Sequence, residues 1–363
     1  MDAPFPCDLP LPTAFYLVLY LTTLVIHVCL MNYVLAGTAY LAAYALRHGR
    51  DASPQTEHPL AGPLREWMPF MLSAAITAGV APLLFIQVLY QRQFYTANLL
   101  LFQRWMVIVP VLIAGFYLLY LLKSRIVAEA SFAWRIVVGC GAFLCFAFVA
   151  WSWTENHLLS LHEESWAEQY ASGRVFFRDR ELWPRLAVWF TGAFPTMATI
   201  VAWQWWCLGR MGRSVPETAN RSCTRLALAG LAIAAASAAW YVSELAAELR
   251  AQLTSPAYLP WLAAALIGLV VQGAGWLAGR NQAVLQRGLL LLITTGLLLT
   301  VAGVSVLREG RRLAAIDLTA LYDLHVDAAQ VGGLTVFLVF AAVNTGLIGW
   351  SLVTVRRAIG KQG

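Results

Sequence analysis

The sequence predicts an all-α, polytopic membrane bundle of nine spans, with a periplasmic N-terminus and a cytoplasmic C-terminus. Three observations carry this reading. Of the 363 residues, 60% are hydrophobic and only 12% are charged, where a soluble domain carries about a quarter; mean hydropathy is +0.65. The apolar residues fall in blocks of roughly 20, the length that crosses a ~30 Å hydrocarbon core at 1.5 Å per residue. The basic residues gather in alternate connectors, the pattern that fixes orientation in a membrane.

Taken in order, the apolar blocks and their breakers place spans at 13–46, 67–90, 104–122, 131–154, 183–209, 223–246, 258–278, 284–306 and 334–356. They form one integral-membrane domain over residues 1–363, with no soluble domain. The first block is longer than the hydrocarbon is thick, so it tilts or projects. It carries Asp2 and Asp8 instead of a basic leader and runs too long for a cleavable signal. Pro82, Pro110 and Pro195 should kink their spans, and Gly268, Gly275 and Gly279 allow close helix approach. Only 155–182 and 307–333 have room for structure of their own. With the N-terminus outside, the inner connectors hold 15 basic and five acidic residues, net +10, and the outer ones 10 basic and 14 acidic, net −4. Basic residues mark the cytoplasmic side, and a bacterial inner membrane is the natural setting.

The net charge of +6 therefore encodes topology, and nucleic-acid binding is set aside. The six cysteines, Cys7, Cys29, Cys140, Cys145, Cys207 and Cys223, form neither a CxxC nor a CxxCH, which excludes a covalently attached c-type haem on this chain and leaves no disulfide framework.

Ionisable residues within lipid are costly and are candidates for function. His27, in IHVCLMNYVLAGT, is the one histidine within a predicted span, and shares a helix face with Met31, Val34 and Thr38. A buried imidazole can ligate haem iron or bond to a neighbouring helix, and position alone leaves both open. Gln87 and Asn344 are expected to bond between helices. In WSWTENHLLSLHEESW, His157 and His162 are five residues apart among Glu155, Glu163 and Glu164, a poor metal spacing that reads as a solvated acidic loop. In VLREGRRL, Glu309 and Arg312 stand at i, i+3 at the end of the eighth span. They read either as a surface ion pair or as a carboxylate ligand with a propionate clamp. Trp151, Trp153, Trp183, Trp189, Trp203, Trp205 and Trp206 suit interfacial belts or the wall of a tetrapyrrole or quinone site.

On these residues the chain resembles subunit I of cytochrome bd ubiquinol oxidase. That family has nine spans with the N-terminus outside. The step from His27 to Gly37 resembles its first span, whose histidine is the axial ligand of the oxygen-reducing haem. GVAPLLFIQVLYQRQFYT resembles its Gly-rich second span and exit. Glu309-Gly310-Arg311-Arg312 resembles its E-x-G-R motif, with the glycine one place early, whose glutamate ligates a high-spin haem b. Other family features are missing. WPRLAVWFTGAF in the fifth span has no histidine, WLAAALIGLVVQGAGW in the seventh has no methionine ligand, and the third span has no carboxylate. The loop between spans six and seven is too short for a quinol site.

The resemblance implies an inner-membrane subunit of a respiratory electron-transfer complex, not active as a quinol oxidase on its own. It implies one or two b-type haems near the periplasmic face, held by His27 and Glu309 at iron with Met31 and Arg312 beside them. Its partners would be redox subunits or a periplasmic cytochrome. The alternatives are a haem-free anchor for redox proteins and, third, a transporter, which would need a polar midplane pathway.

Overall fold

The computed structural model describes residues 11–48, 58–330 and 333–360. Cys7, Asp2, Asp8, and the connector charges Arg50, Asp51, Glu57 and Lys361 that enter the topology count lie outside the described residues. Within them every regular element is helical: α1 (Leu11–His48), α2 (Ala61–Leu89), α3 (Gln91–Leu100), α4 (Phe102–Lys123), α5 (Arg125–Ala128), α6 (Phe132–Leu159), α7 (Trp166–Ser172), α8 (Leu182–Arg210), α9 (Ala219–Glu244), α10 (Ala247–Leu253), α11 (Leu259–Gly279), α12 (Arg287–Leu313), α13 (Leu318–Gln330) and α14 (Gly333–Gly360). Among the described residues eight helices are long and apolar enough to cross a membrane: α1, α2, α4, α6, α8, α9, α11 and α12. The ninth predicted span falls in α14, where the apolar stretch is the shorter Leu338–Leu347.

The chain divides into two compact units. One is Leu17–Ile316; the other joins Met1–Tyr16 to Asp317–Gly363. In the smaller unit, α14 satisfies its polar side chains internally: Asn344 donates to the Phe340 carbonyl at 2.8 Å. The interhelical bond expected of Asn344 is therefore an intrahelical one.

The larger unit turns the soluble pattern inside out. Large apolar side chains such as Phe70, Val109, Val137, Leu144 and Val270 face outward, while Asn32, Thr38, Arg104, Glu155, His157, Thr196, Glu309 and Arg312 are buried. That distribution suits a hydrocarbon surround, where polar groups must find partners inside. The tightest neighbours are the hairpins α4–α6, α8–α9 and α11–α12. In the last, backbones pack directly. A Cβ on Gly268 would lie 2.7 Å from the Thr300 nitrogen, and one on Gly296 would lie 3.0 Å from the Gln272 nitrogen, so neither position tolerates a side chain. Gly275 and Gly279, also expected at close approaches, press against Ile293 and against Leu285 and Leu289. α2, α4 and α8 continue through Pro69, Pro82, Pro110 and Pro195.

The amides that join helices are not the expected ones. Gln87 only accepts from Tyr95 at 3.4 Å, across the α2–α3 turn. The cross-helix bonds come from Trp189 to Asn32 at 2.8 Å, Gln272 to Thr300 at 2.9 Å, Trp203 to Thr294 at 2.8 Å and Asn220 to the Gly279 carbonyl at 2.9 Å. Two of the tryptophans assigned to interfacial belts thus act as interhelical donors, and Trp205 is buried.

Candidate functional site

His27 projects from α1 onto the small-residue face of α2. Its Nδ1 lies 2.9 Å from the carbonyl oxygen of Ala75. One turn further on, Gly79 has no side chain, and a Cβ there would lie 2.8 Å from His27 Cε1. The ring therefore rests in a notch that only glycine leaves open. A carbonyl can only accept, so Nδ1 carries the proton and the neutral ring presents its lone pair at Nε2. Among the described residues the one side-chain hydrogen bond of His27 is that of Nδ1. Metal-binding histidines are oriented in this way, one ring nitrogen donating to a carbonyl and the other free for the ion. Val34 and Thr38, further along the face, are buried, with Thr38 bonding back to the Val34 carbonyl at 2.8 Å, and Met31 is half-buried. The ring orientation is that of a histidine able to ligate a metal.

Glu309 is placed differently. The apolar block ends at Leu307, but α12 continues to Leu313, which draws the REGRR segment into the bundle instead of leaving it at the surface. Glu309 is 0% exposed and Arg312 2%. Arg312 Nη1 reaches both carboxylate oxygens, at 3.0 and 3.4 Å. The surface-pair reading fails because the pair is inside. Tyr90, at the end of α2, lies beside the pair, its ring under the Arg312 guanidinium at 4.5 Å. The carboxylate of Glu309 is thus engaged by a cation within the bundle. No contact joins it to His27. On α1, His27 is seven residues, or roughly 10 Å of rise, from Tyr20, and Tyr20 accepts from Arg308 of α12 at 2.7 Å.

Around the Glu309–Arg312 pair, six helices bring polar groups to one end of the bundle. Arg311 pairs with Glu181 at 3.2 Å, and Tyr241 donates to the same carboxylate at 3.3 Å. Arg185 of α8 lies over the Tyr241 ring at 5.7 Å and places Nη1 at 3.3 Å from His157 Nδ1. His157 is 5% exposed and belongs to α6, which runs five residues past the predicted end of its span. It is not in a solvated loop, and His27 is not the only histidine of the spans. The Arg185 guanidinium can only donate, so His157 Nδ1 accepts and Nε2 carries the proton. That Nε2 is buried without a hydrogen-bond partner among the described residues. His157 lines a partly open cavity of about 10 Å³ with Ile86, Tyr90, Phe94, Trp153, Asn156, Ser160 and Arg312. The cavity accommodates about one water-sized group, and a tetrapyrrole does not fit there.

Beside it, Glu155 is 1% exposed, again inside the bundle. It pairs with Arg104 and accepts the backbone N–H of Phe177. Arg104 also bonds Ser152 at 3.0 Å and lies over the Trp151 ring at 4.2 Å, while Trp151 stacks on Phe176 at 11°. This knot ties the 160–181 connector to α4 and α6. Outside the spans, His162 sits between Asp179 at 3.1 Å and Glu164 at 2.7 Å. The contact with Asp179 is the main cause that raises the imidazole above its ordinary value; burial opposes it and Glu164 adds to it. Burial pushes both carboxyls up, but their bonds to His162 lead the effects that hold them below the usual carboxylate range.

Sequence reasoning named Glu309 and Arg312 and quoted the α2 exit segment, and the structure brings these together. It did not find His157, Tyr90, Arg185, Glu181 or Tyr20. For His157 the available signal was spacing: Ala150, Thr154, His157, Leu158 and Leu161 continue the buried face of α6 at helical intervals, past the point where hydropathy falls. No protein-family model matches this chain, and no curated protein or solved structure matches it.

Proposed function

We propose that this chain is a multi-pass subunit of a membrane electron-transfer complex that holds a b-type haem on Nε2 of His27. The observation that carries the reading is the imidazole itself. The Ala75 carbonyl holds the Nδ1 proton, which leaves the lone pair at Nε2, and Gly79 leaves room for the ring. A bound haem b supplies a one-electron carrier in the apolar part of the bundle. The chain's own residues ligate it, fix the ring plane through α2, and exclude water with the outward-facing apolar helices. Arg308 of α12, which bonds Tyr20 of α1 at 2.7 Å, supplies positive charge for carboxylates. Nine spans, a periplasmic N-terminus and a bacterial inner membrane complete the reading and rest on the charge count. The likeness to the bd family's first span and E-x-G-R motif motivates it, and redox partner subunits or a periplasmic cytochrome would exchange the electrons.

A haem-free anchor is the second reading. The observation that favours it is Glu309, whose carboxylate is engaged by Arg312 inside the bundle. Pyridine-haemochrome analysis of the purified chain separates the two. On the first reading wild type contains b haem and His27→Ala contains none, while His157→Ala keeps its content. A folded, fully expressed wild type without b haem would end that reading.

A further inference from the structure

The His157 end of the bundle carries a second site that is independent of any haem. Its elements are a buried proton donor with no acceptor, two half-buried arginines without a contacting carboxylate, and a small opening beside them. His157 is held by Arg185 in the tautomer that points N–H from Nε2, and this N–H is buried and unpartnered among the described residues. The groups lining the same cavity do not answer it. Arg312 has only donors. The Ser160 hydroxyl donates to the His157 carbonyl at 2.6 Å and the Asn156 amide to Asn98 at 2.8 Å, and neither their oxygens nor that of Tyr90 is placed to accept from Nε2.

Charge points the same way. Arg311 and Arg312 pair with Glu181 and Glu309, whereas Arg185 and Arg308 have no carboxylate in direct contact among the described residues and bond His157 and Tyr20 instead. Asp179, on the connector, is engaged by His162. Arg308 also keeps a buried Nε without a partner. A half-buried cation without a counter-ion and a buried N–H without an acceptor are each costly. A water could accept from Nε2 but would leave the charge uncompensated; an anionic oxygen does both.

Position narrows the source. Tyr90 ends α2, Ser160 caps α6 and Arg312 is in the last turn of α12, so the cavity opens at the helix ends, the depth at which lipid headgroups lie. Its volume of about 10 Å³ admits a single oxygen, with the rest of the bearer outside the mouth.

We infer that His157 Nε2–H and the Arg312 guanidinium form a binding site for one phosphate oxygen, presented either by an anionic phospholipid headgroup or by inorganic phosphate. The test uses the full chain, purified in detergent and stripped of lipid. Binding is followed by native mass spectrometry and thermal stability in titrations with phosphatidylglycerol, with inorganic phosphate, and with phosphatidylcholine and chloride as controls. Saturable one-to-one binding of phosphatidylglycerol alone supports the headgroup source, and saturable binding of inorganic phosphate as well supports a free-anion site. In either case His157→Leu should weaken binding about tenfold or more, because a hydrogen bond to a charged group is lost. His157→Gln, which keeps an N–H donor, should recover most of it. The inference is overturned if wild type binds neither ligand more tightly than the controls, a result that needs no variant to fold. It is equally overturned if His157→Leu is folded and binds as wild type does.

Discussion

The reading of His27 can be tested without touching the imidazole, by Gly79→Ala. A methyl at Gly79 would start 2.8 Å from His27 Cε1 and 2.9 Å from Nδ1, where carbon contacts settle at about 3.5 Å. The ring must retreat by roughly 0.6 Å. If it retreats along the bond, the 2.9 Å contact with the Ala75 carbonyl lengthens to about 3.5 Å, outside the range of an N–H···O bond. The stability change should be small. Overpacking costs about 1–3 kcal/mol and the lost intramembrane bond about 0.6 kcal/mol, against a gain of up to about 1 kcal/mol for alanine over glycine in a helix. The effect on the ligand should be large, because removing the group that orients a metal-binding imidazole typically costs about 10–100-fold in affinity. The assay is haem content and reduced-minus-oxidised spectrum of purified protein, with unfolding in detergent measured in parallel. Gly273→Ala is the control, since nothing lies within 4 Å of a Cβ there. We expect Gly79→Ala to lose haem by tenfold or more while unfolding within about 3 kcal/mol of wild type. Equal haem content and an unchanged spectrum in both alanine variants would refute the role of the notch.

Three further outcomes follow from the same geometry. Glu309→Gln leaves Arg312 buried without its counter-charge and should cost about 3–5 kcal/mol in denaturant unfolding, whereas Glu66→Gln, which breaks the exposed pair with Lys123, should change little; equal effects would contradict the burial of Glu309. The His162 tether of the 160–181 connector should depend on pH. The raised imidazole contributes fully below its unfolded value of about 6.5 and loses its contribution as pH rises through its folded value. The depressed Asp179 and Glu164 contribute above about 4 and lose it as pH falls. Proteolytic protection of the connector should therefore peak at roughly pH 4–6.5 and lose that peak in His162→Ala; a flat profile in wild type would exclude the tether. Reporter fusions after Arg47, Arg125, Arg213, Arg280 and Arg357 should report cytoplasm and those near Glu164, Glu248 and Asp323 periplasm, and a cytoplasmic 155–182 connector would overturn the orientation.

How much of this was legible in the sequence depends on what each residue needed for its placement. The spanning helices follow from hydropathy alone, because lipid imposes one requirement along the whole block. His27 was legible for the same reason, as an ionisable group inside such a block. Its significance lay in Ala75 and Gly79, two unremarkable small residues 48 and 52 positions away. Helix ends were the weak point. Hydropathy falls at Trp153 and again at Leu307, yet α6 and α12 continue to Leu159 and Leu313, because the polar residues in those extra turns find partners on other helices instead of water. Composition cannot distinguish a charged turn that dissolves from one that is paired inside, so Glu155, His157 and Glu309 all read as surface. Trp189 and Asn32 have the same difficulty: each alone fits a belt or a solvated position, and only the pair explains both.

The two buried ionic clusters at the His157 end differ in a way that bears on their purpose. Arg104 and Glu155 have opposite charges in contact, Glu155 takes a backbone N–H as well, and the guanidinium is covered by aromatic faces. Such a knot balances its charges, although Arg104 Nη2 and Trp151 Nε1 are buried without a partner among the described residues, and fastening the connector is a sufficient account of it. The arginine cluster around His157 is incomplete by both charge and hydrogen bonding. An arginine without a contacting carboxylate in this cluster is a standing cost that well-packed apolar residues would not carry. Stability alone therefore accounts for the first cluster and not for the second. What the second cluster lacks is an anion, and the vacant hydrogen bond at His157 gives the position where one of its oxygens would lie.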